Sequence, residues 1–232
     1  MLGEGIRDIN IDVPRDAYDT GKEVPIFSAY LIAVVRDSEG KMVKVHRQRS
    51  RSPTANFIGL LLPTIYFSNT NSSYSIVNTG NGGNSYRPGL STSAWDISYP
   101  NPSSGNQTYL VMIQVGSGQQ SNPYTAYSLA APIANGTGSG QLVYSQPSLP
   151  TSITASGSSA YFVVSQTLNN QSGGTITITE VGIIVNVQLS RPYYEQSSSF
   201  GQVLVWYDVL SSPISVPNGG SVTIYYTFTV NP

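Results

Sequence analysis

The sequence contains no cysteine, one histidine and few charged side chains. Without a thiol the chain can form neither a disulfide scaffold nor a cysteine-based zinc site. Charged residues make up 10% of its 232 residues, whereas about 25% is usual for a soluble domain. The net charge of -1 gives no overall attraction to phosphate, which argues against a general nucleic-acid coat. Since few ionisable side chains are available for acid–base chemistry, we predict that the chain is not an enzyme.

The charges that are present lie mostly at the N-terminal end. Nine of the 11 basic and eight of the 12 acidic residues fall within residues 1–51, and residues 97–179 carry no formal charge. The rest is rich in serine, threonine, asparagine and glutamine, as in exposed proteins, yet residues 1–8 contain no apolar stretch typical of a secretory signal. This combination indicates a particle that is assembled in the cytoplasm and later exposed outside.

The chain divides into an arm and one domain. Residues 1–23 are charged and poor in large apolar side chains, and Pro14 argues against a helix, so we predict an extended N-terminal arm. Residues 24–232 are predicted to form a single domain. Its stretches 68–107 and 116–150, rich in Gly, Ser, Asn and Pro, are too long for plain connections and are predicted as elaborate surface loops.

The first part of the domain contains a hairpin signal and a helix signal. Tyr30–Arg36 is typical of a strand, Asp37–Gly40 of a turn, and Lys41–Gln48 of the return strand, which together predict a β-hairpin. Ser52-Pro53 suits a helix start and Pro63 a helix end, so we predict one short helix over Pro53–Leu62.

The last part of the domain has the clearest pattern. Apolar residues alternate as in β-strands over 160–168, 175–187, 202–209 and 221–230, with breaks at 169–174, 193–200 and 213–220. Within the second segment the apolar positions change from even to odd numbers between Ile178 and Val181. A one-residue slip would expose the core face, so this change predicts a β-bulge near Thr179-Glu180. Strands with such turns and no alternating helices predict an all-β antiparallel sandwich, a jelly roll or, as the alternative, an immunoglobulin-like fold.

Basic residues are concentrated on the return strand of the hairpin, at Lys41, Lys44, Arg47, Arg49 and Arg51. On an extended strand Lys41 and the three arginines share one side at about 6.6–7 Å per two residues, close to the phosphate repeat of one DNA strand. Three interpretations stay open. The strip is a solvated strand that meets the acidic arm of a neighbouring copy, a site for another acidic protein, or a contact with a packaged genome or the lipid headgroups of an internal membrane.

Catalytic sites have weak support in the sequence. Asp96 beside Trp95, and Asp208 two residues after Trp206, have the residue types of a sugar-cleft carboxylate pair, but tryptophans also serve as packing residues. His46 is not accompanied by a Gly-x-Ser-x-Gly nucleophile turn. We therefore predict no catalytic residue, metal, cofactor or small-molecule substrate.

A family resemblance rests on the C-terminal strands, residues 175–230. Thr177-x-x-Glu180-x-Gly182 is followed by Asp208-Val-Leu-Ser-Ser-Pro213, a Gly219-Gly220 turn and a final alternating strand. This order resembles the C-terminal strands of virion structural proteins of tailed phages and archaeal viruses. The resemblance implies a building part of a virus particle and carries over no catalytic residue.

These observations predict a virion structural protein, namely a shell, vertex or decoration subunit. It would act by self-assembly through its arm and its tyrosine-rich faces, and by contacts with other virion proteins. One alternative is an extracellular filament or cell-surface β-sandwich subunit that donates a strand to its neighbour. A third is a carbohydrate-binding module that uses Trp95 and Trp206.

Overall fold

The computed structural model describes residues 27–50, 52–58, 87–88, 111–150, 152–157, 159–190 and 198–230. The predicted arm, residues 1–23, and the predicted loop at 68–107, apart from residues 87–88, lie outside these ranges. No helix within the described ranges is long and apolar enough to cross a membrane.

Antiparallel strands make up most of the described chain. In chain order they are β1 (Phe27–Arg36), β2 (Met42–Ser50), β3 (Arg87–Pro88), β4 (Val111–Gly116), β5 (Val143–Tyr144), β6 (Thr154–Ser156), β7 (Ser159–Asn169), β8 (Ile176–Ser190), β9 (Ser198–Val216) and β10 (Ser221–Val230). Residues 55–58 form one helical turn within the predicted helix, and Pro123–Thr125 a 3-10 turn.

The strands form two sheets. Sheet A has the order β2-β1-β10-β7, with the short β5 and β6 paired to β7. In sheet B, β8 pairs along its length with β9, while β3 and β4 pair with β8 at different heights. The prediction of an all-β antiparallel sandwich is therefore confirmed. The strand order does not single out the jelly roll or the immunoglobulin-like topology, so that refinement stays a prediction.

The hydrophobic core lies between the sheets. Successive side chains of a strand point to opposite faces, so every second side chain points into this core. In β10, Val222, Ile224 and Tyr226 are fully buried in this core. In β1 the odd-numbered residues from Ala29 to Val35 are also buried in this core. The predicted hairpin is confirmed, because β1 pairs with β2 through the turn that ends at Gly40, whose φ of 81° favours glycine.

The predicted irregularity at Thr179-Glu180 is confirmed, and it is larger than one residue. Ile178 pairs with Ile214, whereas Glu180 pairs with Val209. Residues 210–213 of β9 therefore project from the ladder, and we call them the β9 bulge. Pro213 fits this place because a bulge residue need not donate to the ladder. The predicted breaks at 193–200 and 213–220 were too long, since β9 begins at Ser198 and continues to Val216.

The long segment after β4 covers the outer face of sheet B. Its side chains Ala126 and Leu129 are buried against Ile184, Leu204 and Tyr207, which makes a second, smaller apolar cluster. The regular structure within this segment is the 3-10 turn and β5.

Candidate functional site: the basic edge strand

Among the described strands, β2 pairs with β1 alone and forms one edge of sheet A. Its side chains alternate in exposure: His46 and Ser50 are buried and Gln48 is half-buried, while Arg47 and Arg49 are exposed. The strand therefore has a face that points toward sheet B and a face that points to solvent.

The inward side chains of β2 contact the β9 bulge. Gln48 Nε2 donates to the carbonyl of Val209 at 3.1 Å, and Gln48 Oε1 accepts from the amide of Ser211 at 2.9 Å. The Gln48 oxygen also lies within hydrogen-bond distance of His46 Nε2, at 2.9 Å. The Ser212 hydroxyl lies 3.3 Å from the other ring nitrogen, His46 Nδ1. The projection of β9 supplies the polar groups that join the two sheets along this edge.

Lys44 also belongs to this joint. Its ammonium donates a 2.8 Å hydrogen bond to the carbonyl of Pro213, across to the β9 bulge. Lys44 lies in the phase of His46, so it is directed toward sheet B, away from the outward face of Arg47. Its ammonium group therefore binds a carbonyl oxygen of the same chain.

Below this joint lies a buried carboxylate, Asp208, which is 3% exposed. Asp208 Oδ2 accepts from the hydroxyl of Tyr226 at 2.9 Å and from the hydroxyl of Ser50, and Ser50 in turn accepts from the Trp206 indole. Burial, and then the Asp208 carboxylate, raise the pKa of Tyr226 well above its ordinary value. The neutral tyrosine is thereby kept as a donor, and the cluster ties sheet A to sheet B.

A second buried carboxylate, Glu180, lies on the other face of sheet B and is fully buried. It accepts from the amides of Ala130 at 3.0 Å and Ala131 at 2.8 Å, from that of Gly118 at 3.3 Å, and from the Tyr207 hydroxyl at 2.8 Å. These donors belong to the loop that follows β4 and to β9. Glu180 therefore holds that loop against sheet B.

The two carboxylates do not face each other. Asp208 pairs with the core residue Val181, and its neighbour Val209 pairs with Glu180. Because successive residues of a strand point to opposite faces, Asp208 faces the core and Glu180 faces the outer loop. Within the described ranges no group of three His, Asp or Glu side chains has the spacing of a metal site.

The predicted basic strip is only partly assembled. Arg47 and Arg49 share the outward face, and within the described ranges neither side chain has an ion pair or hydrogen bond. The inclusion of Lys41 on that face was wrong. The register shifts between Val35 and Arg36, so that Met42 falls in the phase of Arg47; Lys41 precedes β2, and its amide bonds to Asp37. Arg51 lies outside the described residues.

The residues considered for catalysis have packing roles or are not described. Trp206 is 3% exposed and meets Phe57 and Phe228 edge-to-face at centroid distances of 5.6 and 5.2 Å, so it offers no open face to a sugar. Trp95 and Asp96 lie outside the described residues.

Sequence reasoning missed the contacts of His46 with Gln48 and Ser212, and one signal was present. His46, Gln48 and Ser50 alternate with Arg47 and Arg49, which is a period-2 pattern of neutral and charged side chains. This pattern marks the neutral set as the inward one. Its partners in the β9 bulge are more than 160 residues away in sequence, and no local pattern identifies them.

The sequence matches no protein-family model, and no curated protein or solved structure gives a match to it.

Proposed function

We propose that this chain is a structural subunit of a virus particle, acting by assembly with copies of itself and with other virion proteins. The placement of charge carries this proposal. Of the charged side chains that the structure describes, the exposed ones all lie on the β1–β2 hairpin: Glu39, Lys41, Lys44, Arg47 and Arg49. The described body of the sandwich is neutral on its surface. Such a surface has little of the like-charge repulsion that keeps soluble proteins apart, so copies can pack closely.

The two buried carboxylates support a building role. Glu180 accepts hydrogen bonds that fix a loop, and Asp208 accepts hydrogen bonds that join the sheets. A buried charge is costly unless it is well satisfied, and each of these charges is satisfied by the chain itself. Their hydrogen bonds stabilise the sandwich, which is what a particle subunit needs.

The residues behind the family resemblance also have roles in this fold. Glu180 anchors the outer loop, Gly182 lies beneath Leu204, and Asp208 joins the sheets. Gly219 has a φ of 77°, which glycine adopts readily. The motif is therefore a set of architectural requirements, as expected if the resemblance reflects a shared subunit design.

Two measurements test the proposal. Sedimentation velocity and electron microscopy of the purified chain are expected to show ordered oligomers that grow with concentration. Mass spectrometry of purified virus particles from the source culture is expected to detect the chain in a fixed ratio to the other virion proteins. Particles without this chain would contradict the virion assignment.

A second candidate, a subunit of an extracellular filament, is favoured by the free edge of β2, because strand addition at an exposed edge is how some surface filaments grow. Electron microscopy separates the two candidates. Closed shells, rings or vertices support the virion role, while open fibres of indefinite length support the filament role.

A further inference from the structure

β2 is an uncovered edge, nine residues long, of the described sandwich. The edge of β9 is covered at residues 205–207 by the segment before the helical turn, where the amide of Thr54 donates to Val205 at 3.1 Å and the amide of Tyr207 donates to Ser52 at 3.0 Å. The edge of β4 is covered where the amide of Ile133 donates to Val115 at 2.9 Å. The outer edge of β7 pairs with β5 and β6. Within the described ranges, the nine residues of β2 have no backbone partner on their outer side.

The chemistry of this edge selects its partner. Arg47 and Arg49 stand about 6.6–7 Å apart on the outward face, and the described part of the chain does not neutralise them. Cationic side chains on an edge strand repel a second copy of the same edge. They favour a strand that carries acidic side chains, since opposite charges directly across a strand pair attract. The exposed Met42 and Val43 at the start of the strand add apolar area to the contact.

The N-terminal arm contains a segment whose sequence pattern fits such a partner. Residues 1–23 hold six acidic and three basic residues. In the segment from Asp8 to Val13, polar Asp8, Asn10 and Asp12 alternate with apolar Ile9, Ile11 and Val13. This period-2 pattern is typical of a strand with one acidic face and one apolar face.

The arm is also long enough to reach a neighbour. Thirteen residues lie between Val13 and β1, and at about 3.3 Å per residue an extended segment of this length spans roughly 43 Å. That is close to the diameter of a compact domain of this size, roughly 43–45 Å for a radius of gyration of about 17 Å, so the segment can reach the surface of an adjacent copy.

We propose that the segment from Asp8 to Val13 of one copy adds as a strand to the free edge of β2 in a second copy. One of the two aspartates, Asp8 or Asp12, then lies directly across from one arginine, and the other aspartate lies diagonal to the second arginine. Backbone hydrogen bonds supply the affinity, and the charge pairs supply the choice of partner. This inference rests on the proposed function and names the contact through which the subunits assemble.

The first test removes the charge of the edge. The full-length variant Arg47→Gln/Arg49→Gln is expected to self-associate about 5- to 30-fold more weakly in sedimentation equilibrium, the factor that corresponds to one or two kcal/mol. The control Ser139→Glu/Ser152→Glu changes the net charge by the same amount at two exposed positions on other loops and is expected to associate like the wild type. Circular dichroism and the thermal midpoint confirm that each variant is folded.

Salt gives an independent readout of the same contact. The Debye length falls from about 10 Å at 0.1 M to about 3 Å at 1 M, so wild-type association is expected to weaken over that range. The Arg47→Gln/Arg49→Gln variant is expected to lose most of this salt dependence. Association of that variant with wild-type strength and wild-type salt dependence would overturn the proposal.

The second test reverses the charges of the edge and of the arm in separate variants. It shows whether the arm binds the edge of a second copy or the edge of its own chain. An edge variant, Arg47→Glu/Arg49→Glu, and an arm variant, Asp8→Lys/Asp12→Lys, are each expected to associate weakly alone. An equal mixture is expected to recover wild-type association, because each charge then meets its opposite in the other molecule. Recovery in one chain that carries all four changes, without recovery in the mixture, would place the arm on its own sheet and refute the contact between copies.

The outcomes separate this inference from the proposed function. Particles that assemble equally well with the edge and arm variants would remove the inference and leave the structural role intact. A rescue by mixing, together with virus particles that lack the chain, would leave the contact intact and remove the virion assignment. A wild-type chain that stays monomeric at all concentrations would contradict both.

Discussion

The Tyr226 hydroxyl, in the central strand β10 of sheet A, donates a 2.9 Å hydrogen bond to the Asp208 carboxylate of sheet B. Both residues are buried, so this bond connects the two sheets through the interior of the sandwich. It also provides the buried carboxylate with one of the donors that it requires.

Removal of that donor is expected to destabilise the protein. Tyr226→Phe keeps the ring and deletes the hydroxyl, and a hydrogen bond to a charged group contributes about 1.5–3 kcal/mol. We expect the free energy of unfolding to fall by that amount in urea titrations. Tyr225→Phe is the matched control, because Tyr225 directly precedes Tyr226 and is half-buried on the opposite face of β10. An equal loss in both variants would contradict the role of the Asp208 contact.

Buried tyrosines predict a loss of stability at alkaline pH. Burial raises the pKa of Tyr144 and of Tyr226 in the folded protein, whereas tyrosine in an unfolded chain has a pKa of about 10. Above pH 10 the unfolded chain releases these protons and the folded chain retains them. Stability is therefore complete below pH 10 and falls above it, by about 1.4 kcal/mol per pH unit for each such tyrosine.

Urea titrations at pH 8, 10 and 11 measure this slope. Tyr144→Phe is expected to show a shallower fall above pH 10 than the wild type, even though its stability at pH 8 is lower because the 2.9 Å hydrogen bond to the Ile133 carbonyl is lost. Identical slopes in the two proteins would refute the prediction for Tyr144.

The Glu180 carboxylate is expected to control the loop that follows β4. In Glu180→Gln a side-chain amide that can also donate replaces an acceptor-only carboxylate, so at least one of the donors on Ala130, Ala131 and Tyr207 loses its partner. We expect a loss of about 2–3 kcal/mol in unfolding free energy and faster hydrogen exchange at the Ala130 and Ala131 amides. Glu39→Gln, at an exposed position, makes the same charge change and serves as the control. Unchanged exchange at these two amides would contradict the anchoring role.

Gly182 is expected to tolerate no side chain. A Cβ atom there would lie 2.6 Å from Leu204 Cδ1 and 3.2 Å from the carbonyl of Trp206, so Gly182→Ala requires the fully buried Leu204 side chain to move within the packed cluster. Overpacking of this kind costs about 1–3 kcal/mol, which thermal or urea unfolding measures. At Gly174 a Cβ would meet nothing within 4 Å, and Gly174→Ala is expected to leave stability within about 0.5 kcal/mol. A neutral Gly182→Ala would show that the close approach is relieved elsewhere.

Sequence patterns predicted those features that depend on neighbouring residues. The change of phase between Ile178 and Val181 located the bulge, because each residue's face is set by period-2 alternation. The size of the bulge depends on which residue of β9 pairs with Ile178, and that pairing with Ile214 joins positions distant in sequence. Local patterns carry no information about such pairings.

The candidate site also combines features that a local pattern predicts with features that depend on residues distant in sequence. Arg47 and Arg49 could be predicted to share a face, because they lie two residues apart in an uninterrupted strand. Lys41 could not be placed correctly, since a register shift opposite Val35 separates it from them. The partners of Glu180 could not be predicted either, because they are backbone amides of a loop some 50 residues away, and backbone amides are the same for almost every residue type.

The free edge strand β2 sets the geometry of any array built through it. A copy that offers one edge and one arm has a valence of two, with distinct donor and acceptor ends, so the contact is heterologous and gives the array a direction. Repetition of such a contact closes into a ring when its rotation divides a full turn and otherwise continues as a helix. A shell would need a second kind of contact, and the neutral faces of the sandwich are the described surface left for it.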